Sequence, residues 1–222
     1  MKFTRGDTIL HELGHHLPFT LAASLLAGVL VAIVYNFWVI PSESFFEVLH
    51  PAHVLVSAAA TSAIYYKYKP GFARSVYRGI GVSGYRKIGE AVLVGVVGAI
   101  LIGSLSDVLL PWVGGNLLGL ETILHLPILE SSFLILGMAI IGSLFGIYIG
   151  LFKINHTLHV FLSVFASLFY LLAFSISMNV WVVLAISLVV FLVVYIPCCI
   201  SDIVFPLLFI KKPCRKCGHW HD

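Results

Sequence analysis

The sequence has few charged residues: only 10% of its 222 residues are Asp, Glu, Lys or Arg, whereas 60% are hydrophobic. Soluble domains carry about 25% charged and about 45–50% apolar residues. A chain with so few charges cannot cover a water-facing surface, which excludes a soluble globular fold. Intrinsic disorder, nucleic-acid binding and a disulfide scaffold are excluded on the same ground. We therefore expect a multi-pass integral protein of the inner or plasma membrane.

Charged side chains are completely missing from two long stretches, 17–40 and 154–201. One helix needs about 20 apolar residues to span a bilayer, so the second stretch must contain two spans. The apolar and polar residues do not alternate, which excludes an outer-membrane barrel. Lipid offers no partner to backbone N–H and C=O groups, so the spans must be helices. The sequence predicts an all-α protein with six transmembrane helices, near 18–40, 50–67, 90–110, 127–152, 156–175 and 179–200.

Basic residues are missing from every second loop of this arrangement. With six spans, all 13 Lys and Arg fall on one side, together with both termini. The positive-inside rule identifies that side as the cytoplasm. The opposite side carries acidic residues instead, and such a face favours the approach of cations. These acidic residues are Glu43, Glu47, Asp107, Glu121 and Glu130.

Three short patterns occur twice in the same order. They are His-Leu-Pro at 16–18 and 125–127, His-x-x-His at 50–53 and 156–159, and Ser-Asp-x-x-x-Pro at 106–111 and 201–206. Each half of the chain contains three predicted spans, so the second half enters the membrane from the opposite side. This arrangement is an inverted repeat, which is typical of secondary transporters. We predict a first three-helix repeat over 1–120, a second, inverted one over 121–210, and a cytoplasmic Cys/His tail over 211–222.

The repeated polar residues predict two metal sites, one near each membrane face. Imidazole suits Zn, Cu, Fe and Ni, whereas carboxylate suits harder ions such as Mn. Histidines three positions apart on a helix share a face, so each His-x-x-His pair can converge on one ion. Ionisable groups inside spans are costly and mark ion pathways. The predicted outer site is His50, His53, Asp107 and His125, and the predicted inner site is His16, His156, His159 and Asp202.

A second motif indicates a different class of protein. His11, Glu12 and His15 match H-E-x-x-H, the signature of zinc metalloproteases. An intramembrane zinc metalloprotease is therefore an alternative function, although Pro18 follows closely and is expected to end the helix. If the chain is an enzyme, we expect this activity, but a transporter fits the repeated histidines better.

The C-terminal tail supplies a possible secondary metal site. Two thiols and two imidazoles lie within eight residues there, which suits a Zn-type ion, although a disordered basic tail is an equal alternative. These residues are Cys214, Cys217, His219 and His221. Two further alternatives concern the histidines inside the spans. They could be axial ligands in a haem-binding membrane protein, or interfacial residues of a structural or channel-like one.

Two segments resemble multi-span heavy-metal efflux permeases, the family of manganese and arsenic exporters. One is Asn-His-Thr-Leu-His-Val-Phe-Leu at 155–162, and the other is Ser-Leu-Ser-Asp at 104–107 with Pro111 after it. Members of that family are also internally duplicated and rich in histidine. The resemblance implies metal transport, and it places His156, Asp107 and Pro111 at matching positions.

Taken together, the sequence predicts a membrane transporter of a divalent transition-metal ion such as Zn, Mn, Fe or Ni. Ions would pass between the two sites by alternating access. Imidazoles must be deprotonated before they bind metal, so transport would be coupled to protons. The sequence lacks a nucleotide-binding motif, so an ion gradient or an ATPase partner would supply the energy. The expected partners are the lipid bilayer and the metal ion, with no nucleic acid, and a homodimer remains open.

Overall fold

The computed structural model describes residues 18, 21–23, 25–36, 42–69, 82–149, 152–176, 182, 186, 190, 194, 196–198 and 200–210. This part of the chain is helical and contains no β-strand. The α-helices are α1 (Leu21–Asn36), α2 (Ser42–Tyr68), α3 (Val82–Ser104), α4 (Leu110–Leu117), α5 (Pro127–Glu130), α6 (Ser132–Ile149), α7 (Phe152–Phe174) and α8 (Phe205–Leu208). Two π-helical segments accompany them, π1 (Leu105–Leu109) and π2 (Ile200–Val204).

Four of the described helices are long and apolar enough to cross a membrane, as expected for a membrane protein. They are Ser42–Tyr68, Tyr85–Leu117, Ser132–Ile149 and His156–Phe174. The second of these joins α3, π1 and α4 into one continuous helix. Two shorter apolar helices cover Leu21–Asn36 and Ile196–Leu208.

Helix boundaries differ from the sequence prediction at two places that matter for the site. Helix α2 begins at Ser42 rather than near residue 50, so His50 and His53 lie two to three turns inside it. The predicted span 127–152 is divided, because α5 ends at Glu130 and α6 begins at Ser132.

Helix α2 is the most buried of the four, and it packs against α3, α6 and α7. It is also the least apolar, because small and hydroxyl-bearing side chains occupy its second half from Ser57 to Ala63. Small residues allow helix backbones to approach closely, which drives helix association in membranes. Helix α2 can therefore have neighbours on several sides at once.

Two glycines of α6 provide the closest approach to α2. A Cβ atom at Gly142 would collide with the carbonyl oxygen of Leu55, and one at Gly146 would collide with that of Ala59. These glycines are four positions apart and so lie on one face of α6. Only glycine can occupy these positions without moving α6 away from α2.

Proline explains the two π-helical segments. Pro111 and Pro206 each follow an aspartate by four positions. A proline inside a helix has no N–H to donate to the carbonyl four residues earlier, and its ring collides with that carbonyl. At π1, the Leu110 N–H instead donates to the carbonyl of Leu105, which widens the turn. The helix does not end before Pro111 but continues through a wider turn.

We expect the Gly142→Ala substitution to destabilise the protein by about 1–3 kcal/mol, because the added methyl group overpacks the α2–α6 contact. Gly137→Ala is the matched control on the same helix, since a Cβ there meets nothing within 4 Å among the described residues. Thermal unfolding in detergent measures both. Equal midpoints for the two variants would contradict the close packing of α6 on α2.

Candidate metal centre

Helices α2 and α7 each present a stripe of polar side chains to the interior. On α2 the stripe has the form His-x-x-His-x-x-x-Ser-x-x-x-Thr, and α7 repeats it with a serine in the last position. This spacing places all four side chains of a stripe on one face of a helix. The eight residues are at most 1% exposed, and they are His50, His53, Ser57, Thr61, His156, His159, Ser163 and Ser167.

Asp107 binds both histidines of the α2 stripe. Its Oδ2 atom lies 2.9 Å from the Nδ1 atom of His50 and 2.5 Å from the Nδ1 atom of His53. The carboxylate is fully buried and projects from π1, the widened turn before Pro111. We refer to these three residues as the Asp107 group.

Asp202 has the same relation to the histidines of α7. Its Oδ2 atom lies 2.7 Å from the Nδ1 atom of His156 and 2.5 Å from the Nδ1 atom of His159. It is also fully buried, and it projects from π2. We refer to these three residues as the Asp202 group. The two groups thus use the same atoms at closely similar distances.

The second oxygen of each carboxylate accepts a hydrogen bond from the opposite stripe. The Ser163 hydroxyl on α7 donates to Oδ1 of Asp107 over 2.7 Å, and the Thr61 hydroxyl on α2 donates to Oδ1 of Asp202 over 3.3 Å. Each aspartate therefore takes its histidines from its own half of the chain and a hydroxyl from the other half. Hydrogen bonds to a buried carboxylate are among the stronger ones, so these contacts tie the halves together.

The serines before the two aspartates add a further pair of contacts between the halves. The Ser167 hydroxyl donates to the backbone carbonyl of Ser106 over 3.1 Å, and the Thr61 hydroxyl lies 3.3 Å from that of Ser201. Ser57 also lies 3.5 Å from Ser201, between their hydroxyl oxygens. These bonds fix each widened turn against the opposite helix.

The two groups meet at a stacked pair of imidazoles. The ring centroids of His53 and His159 are 4.5 Å apart, and the ring planes differ by 17°. Helices α2 and α7 are antiparallel, because Phe46, which precedes His53 on α2, packs on Tyr170, which follows His159 on α7. The sequence placed the two sets near opposite faces, whereas in the structure they form one buried cluster. The reason is the early start of α2, which moves its histidines inward along the helix.

The carboxylates determine which imidazole nitrogens are available to a metal. An ionised carboxylate only accepts hydrogen bonds, so each histidine donates its Nδ1–H to it and keeps a lone pair on Nε2. A carboxylate behind an imidazole orients the ring and raises its basicity, an arrangement common around protein-bound metals. The Nε2 atom of His53 is buried and has no hydrogen-bond partner within the described residues. This nitrogen could therefore coordinate a metal ion.

Within the part of the chain that the structure describes, three sets of buried side chains offer ligand atoms within 4.8 Å of one another. Two of these sets are the Asp107 and Asp202 groups. The third joins His53 and His159 to Cys198, a buried cysteine four residues before Asp202.

His125, which the sequence assigned to the outer site, is not part of the cluster. Its Nδ1 atom lies 3.2 Å from a carboxylate oxygen of Glu130, and its ring stacks on Phe174 at 4.5 Å between centroids. Phe46 lies between it and His50, with ring centroids 6.1 Å and 5.6 Å away respectively. His125 precedes α5, and it packs against Phe46 of α2 and Phe174 of α7.

Three other predictions fall on residues outside the described part of the chain. They are the inner-site ligand His16, the H-E-x-x-H residues His11, Glu12 and His15, and the tail residues Cys214, Cys217, His219 and His221.

Sequence reasoning missed the hydroxyl groups that donate hydrogen bonds to the two carboxylates. The signal was present, because Ser57 and Thr61 continue the face of the first His-x-x-His pair at intervals of four residues, and Ser163 and Ser167 do so for the second. Serine in a membrane helix is common enough that this spacing attracts attention only once the histidines are seen to be buried.

The Ser163→Ala substitution removes the hydroxyl that donates to Asp107. We expect a loss of about 1–3 kcal/mol in stability, because Oδ1 of the buried carboxylate loses one of its two hydroxyl donors and keeps only Ser106. Ser143→Ala is the matched buried control, since the Ser143 hydroxyl has no hydrogen-bond partner among the described residues. Unfolding midpoints in detergent compare the two, and a loss at Ser143 as large as that at Ser163 would refute the role given to this contact.

Comparison with known proteins finds no matching family model, no matching curated protein and no matching solved structure. The geometry and chemistry of the buried His/Asp cluster are therefore the basis from which a function is inferred.

Proposed function

We propose that this protein is a membrane transporter of a divalent transition-metal ion, with the Asp107 and Asp202 groups as its two ion-binding positions. The observation that supports this most directly is the pair of fully buried His-His-Asp groups, one from each half of the chain. Neutral imidazole and carboxylate together suit divalent transition metals.

The charge of the cluster favours a cation. Two carboxylates lie at 0% exposure, and the contacts given above surround them with imidazoles and hydroxyls. Buried charges are very costly unless they are compensated. A divalent cation would neutralise both carboxylates while the imidazoles remain neutral. In its absence, hydrogen bonds from imidazole N–H groups and from hydroxyls compensate the carboxylates.

The reciprocal contacts support the inverted repeat as part of this proposal. Each half contributes a His-x-x-His helix and an aspartate on a widened turn, and each donates a hydroxyl to the other half. Such an exchange is expected of two structurally equivalent halves around a pseudo-two-fold axis. With six spans and both termini in the cytoplasm, a rocking motion of one half against the other would open the cluster to either side in turn.

The resemblance to heavy-metal efflux permeases fits this proposal, since His156 and Asp107 belong to the buried groups. The haem alternative gains no support from the cluster, because stacked rings do not direct two nitrogens along one axis through an iron. For the protease alternative, the described residues supply no observation in its favour.

Zinc binding to the purified chain tests the proposal. We expect at least one tightly bound Zn²⁺, and we expect His53→Ala or His159→Ala to weaken its binding by tenfold or more. Asp107→Asn should have an effect of about 10–100-fold, because it removes a carboxylate behind two imidazoles. All chains should carry Cys214→Ser and Cys217→Ser, so that the tail contributes no thiol ligands.

Zinc uptake into liposomes that contain a metal-sensitive dye is the functional measurement. His125→Ala is the matched control, a histidine that lies outside the cluster and pairs with Glu130. We expect uptake to persist in this variant and to be lost in His53→Ala and His159→Ala. Uptake that is unaffected by either cluster variant would reject the proposed function.

A further inference from the structure

We propose that His53, His159 and Cys198 form a third metal-binding position between the Asp107 and Asp202 groups, and that it selects thiophilic divalent ions such as Zn²⁺ and Cd²⁺ over Mn²⁺. This inference rests on the proposed transport function and specifies its substrate class. It concerns a different ligand set from the two carboxylate groups, because its members come from both halves of the chain.

The geometry brings the three ligands together from three helical segments. His53 is on α2, His159 is on α7, and Cys198 is on the helix that leads into π2. Their potential ligand atoms lie within 4.8 Å of one another, and all three side chains are at most 1% exposed. In a tetrahedral site, Zn–S bonds are about 2.3 Å and Zn–N bonds about 2.0–2.1 Å long, which puts neighbouring ligand atoms less than about 4 Å apart. A contraction of the order of 1 Å, with rotation of the stacked His53 and His159 rings so that both lone pairs point at one ion, would therefore close the site.

An unpartnered nitrogen indicates a ligand at this point. The Nε2 atom of His53 is fully buried and has no hydrogen-bond partner among the residues that the structure describes. A buried polar atom without a partner is costly and usually marks a functional group or a missing ligand. A metal ion bound between His53 and His159 would use this lone pair.

The thiol determines the selectivity of the third position. Thiolate is a soft ligand that favours Zn²⁺ and similar ions, whereas Mn²⁺ prefers carboxylate, carbonyl and water oxygens. The thiol must lose its proton to bind, and this proton is released when the metal enters. A hard ion would gain less from these three ligands than from the Asp107 or Asp202 group.

The two halves differ at the position of this thiol. Cys198 precedes Asp202 by four residues, and the residue four positions before Asp107 is Gly103. A Cβ at Gly103 would lie 3.8 Å from Cε1 of His53, so the glycine is beside the same imidazole but brings no ligand. The third position thus has one thiol, supplied by the second half alone. Because it shares His53 with one group and His159 with the other, an ion could move between the groups through it.

Cobalt is a suitable probe, because a Co²⁺–thiolate bond gives a charge-transfer absorption in the near ultraviolet. The full chain with Cys214→Ser and Cys217→Ser is titrated with Co²⁺ in detergent. We expect the absorption to appear, to be lost in Cys198→Ser and to remain in the matched neighbour Cys199→Ser. Its absence from the parent chain, or its persistence in Cys198→Ser, would overturn the third position.

Metal preference provides the second measurement. We expect Cys198→Ser to weaken Cd²⁺ binding at least tenfold and to change Mn²⁺ binding less than twofold. Equal effects on the two ions would reject the selectivity. X-ray absorption of the Zn²⁺-loaded parent chain needs no substitution at Cys198 and should detect one sulfur neighbour at about 2.3 Å. A shell of nitrogen and oxygen alone would count against the proposal.

The outcomes separate this inference from the function on which it rests. If His53→Ala and His159→Ala abolish Zn²⁺ uptake but no sulfur is bound, the third position is rejected and the transport function stands. If neither histidine variant affects uptake, the transport function itself is rejected.

Discussion

The burial of two carboxylates is the constraint on which the rest of this structure depends. Asp107 and Asp202 have no exposed surface, and ionised groups in such surroundings are stable only when each oxygen has partners. Two imidazoles satisfy one oxygen of each carboxylate, and a hydroxyl from the opposite half satisfies the other. The helices that carry these partners must therefore remain in register. A shift of one residue along α2 would turn its polar stripe away from both carboxylates.

The packing of the bundle follows from this requirement. Helix α2 must present four polar side chains on one face and still be surrounded by helices, and small residues occupy its other faces between Ser57 and Ala63. Gly142 and Gly146 bring α6 against its backbone at Leu55 and Ala59, where no side chain could be inserted. The widened turns at π1 and π2 also help to position the two carboxylates. They rotate the aspartates relative to a regular helix, and the proline four positions later makes the regular hydrogen bond impossible.

The sequence predicted which residues meet in the buried cluster better than it predicted their arrangement. The His-x-x-His pairs and the Ser-Asp-x-x-x-Pro elements contain most of the cluster, because helical periodicity alone places His50 beside His53 and His156 beside His159. Their depth was not predictable in the same way. Hydropathy marks where an apolar run begins, whereas α2 begins eight residues before His50, within a segment that contains Ser42 and Glu43. His125 shares a motif with His16, but it stacks on Phe174 outside the cluster, a contact that the apolar pattern does not reveal. The six spans and the inverted repeat remain predictions of the sequence.

For the proposed transport function, the difference between the halves has a physical meaning. Two identical groups related by symmetry would bind an ion equally well, and nothing in them would favour movement in one direction or a choice among ions. Cys198 breaks this equivalence at the point where the groups meet, because its counterpart Gly103 has no side chain to offer. The symmetric parts, imidazole and carboxylate, can receive many divalent ions. A single soft ligand between them would impose selectivity on every ion that passes from one group to the other, whichever side it entered from.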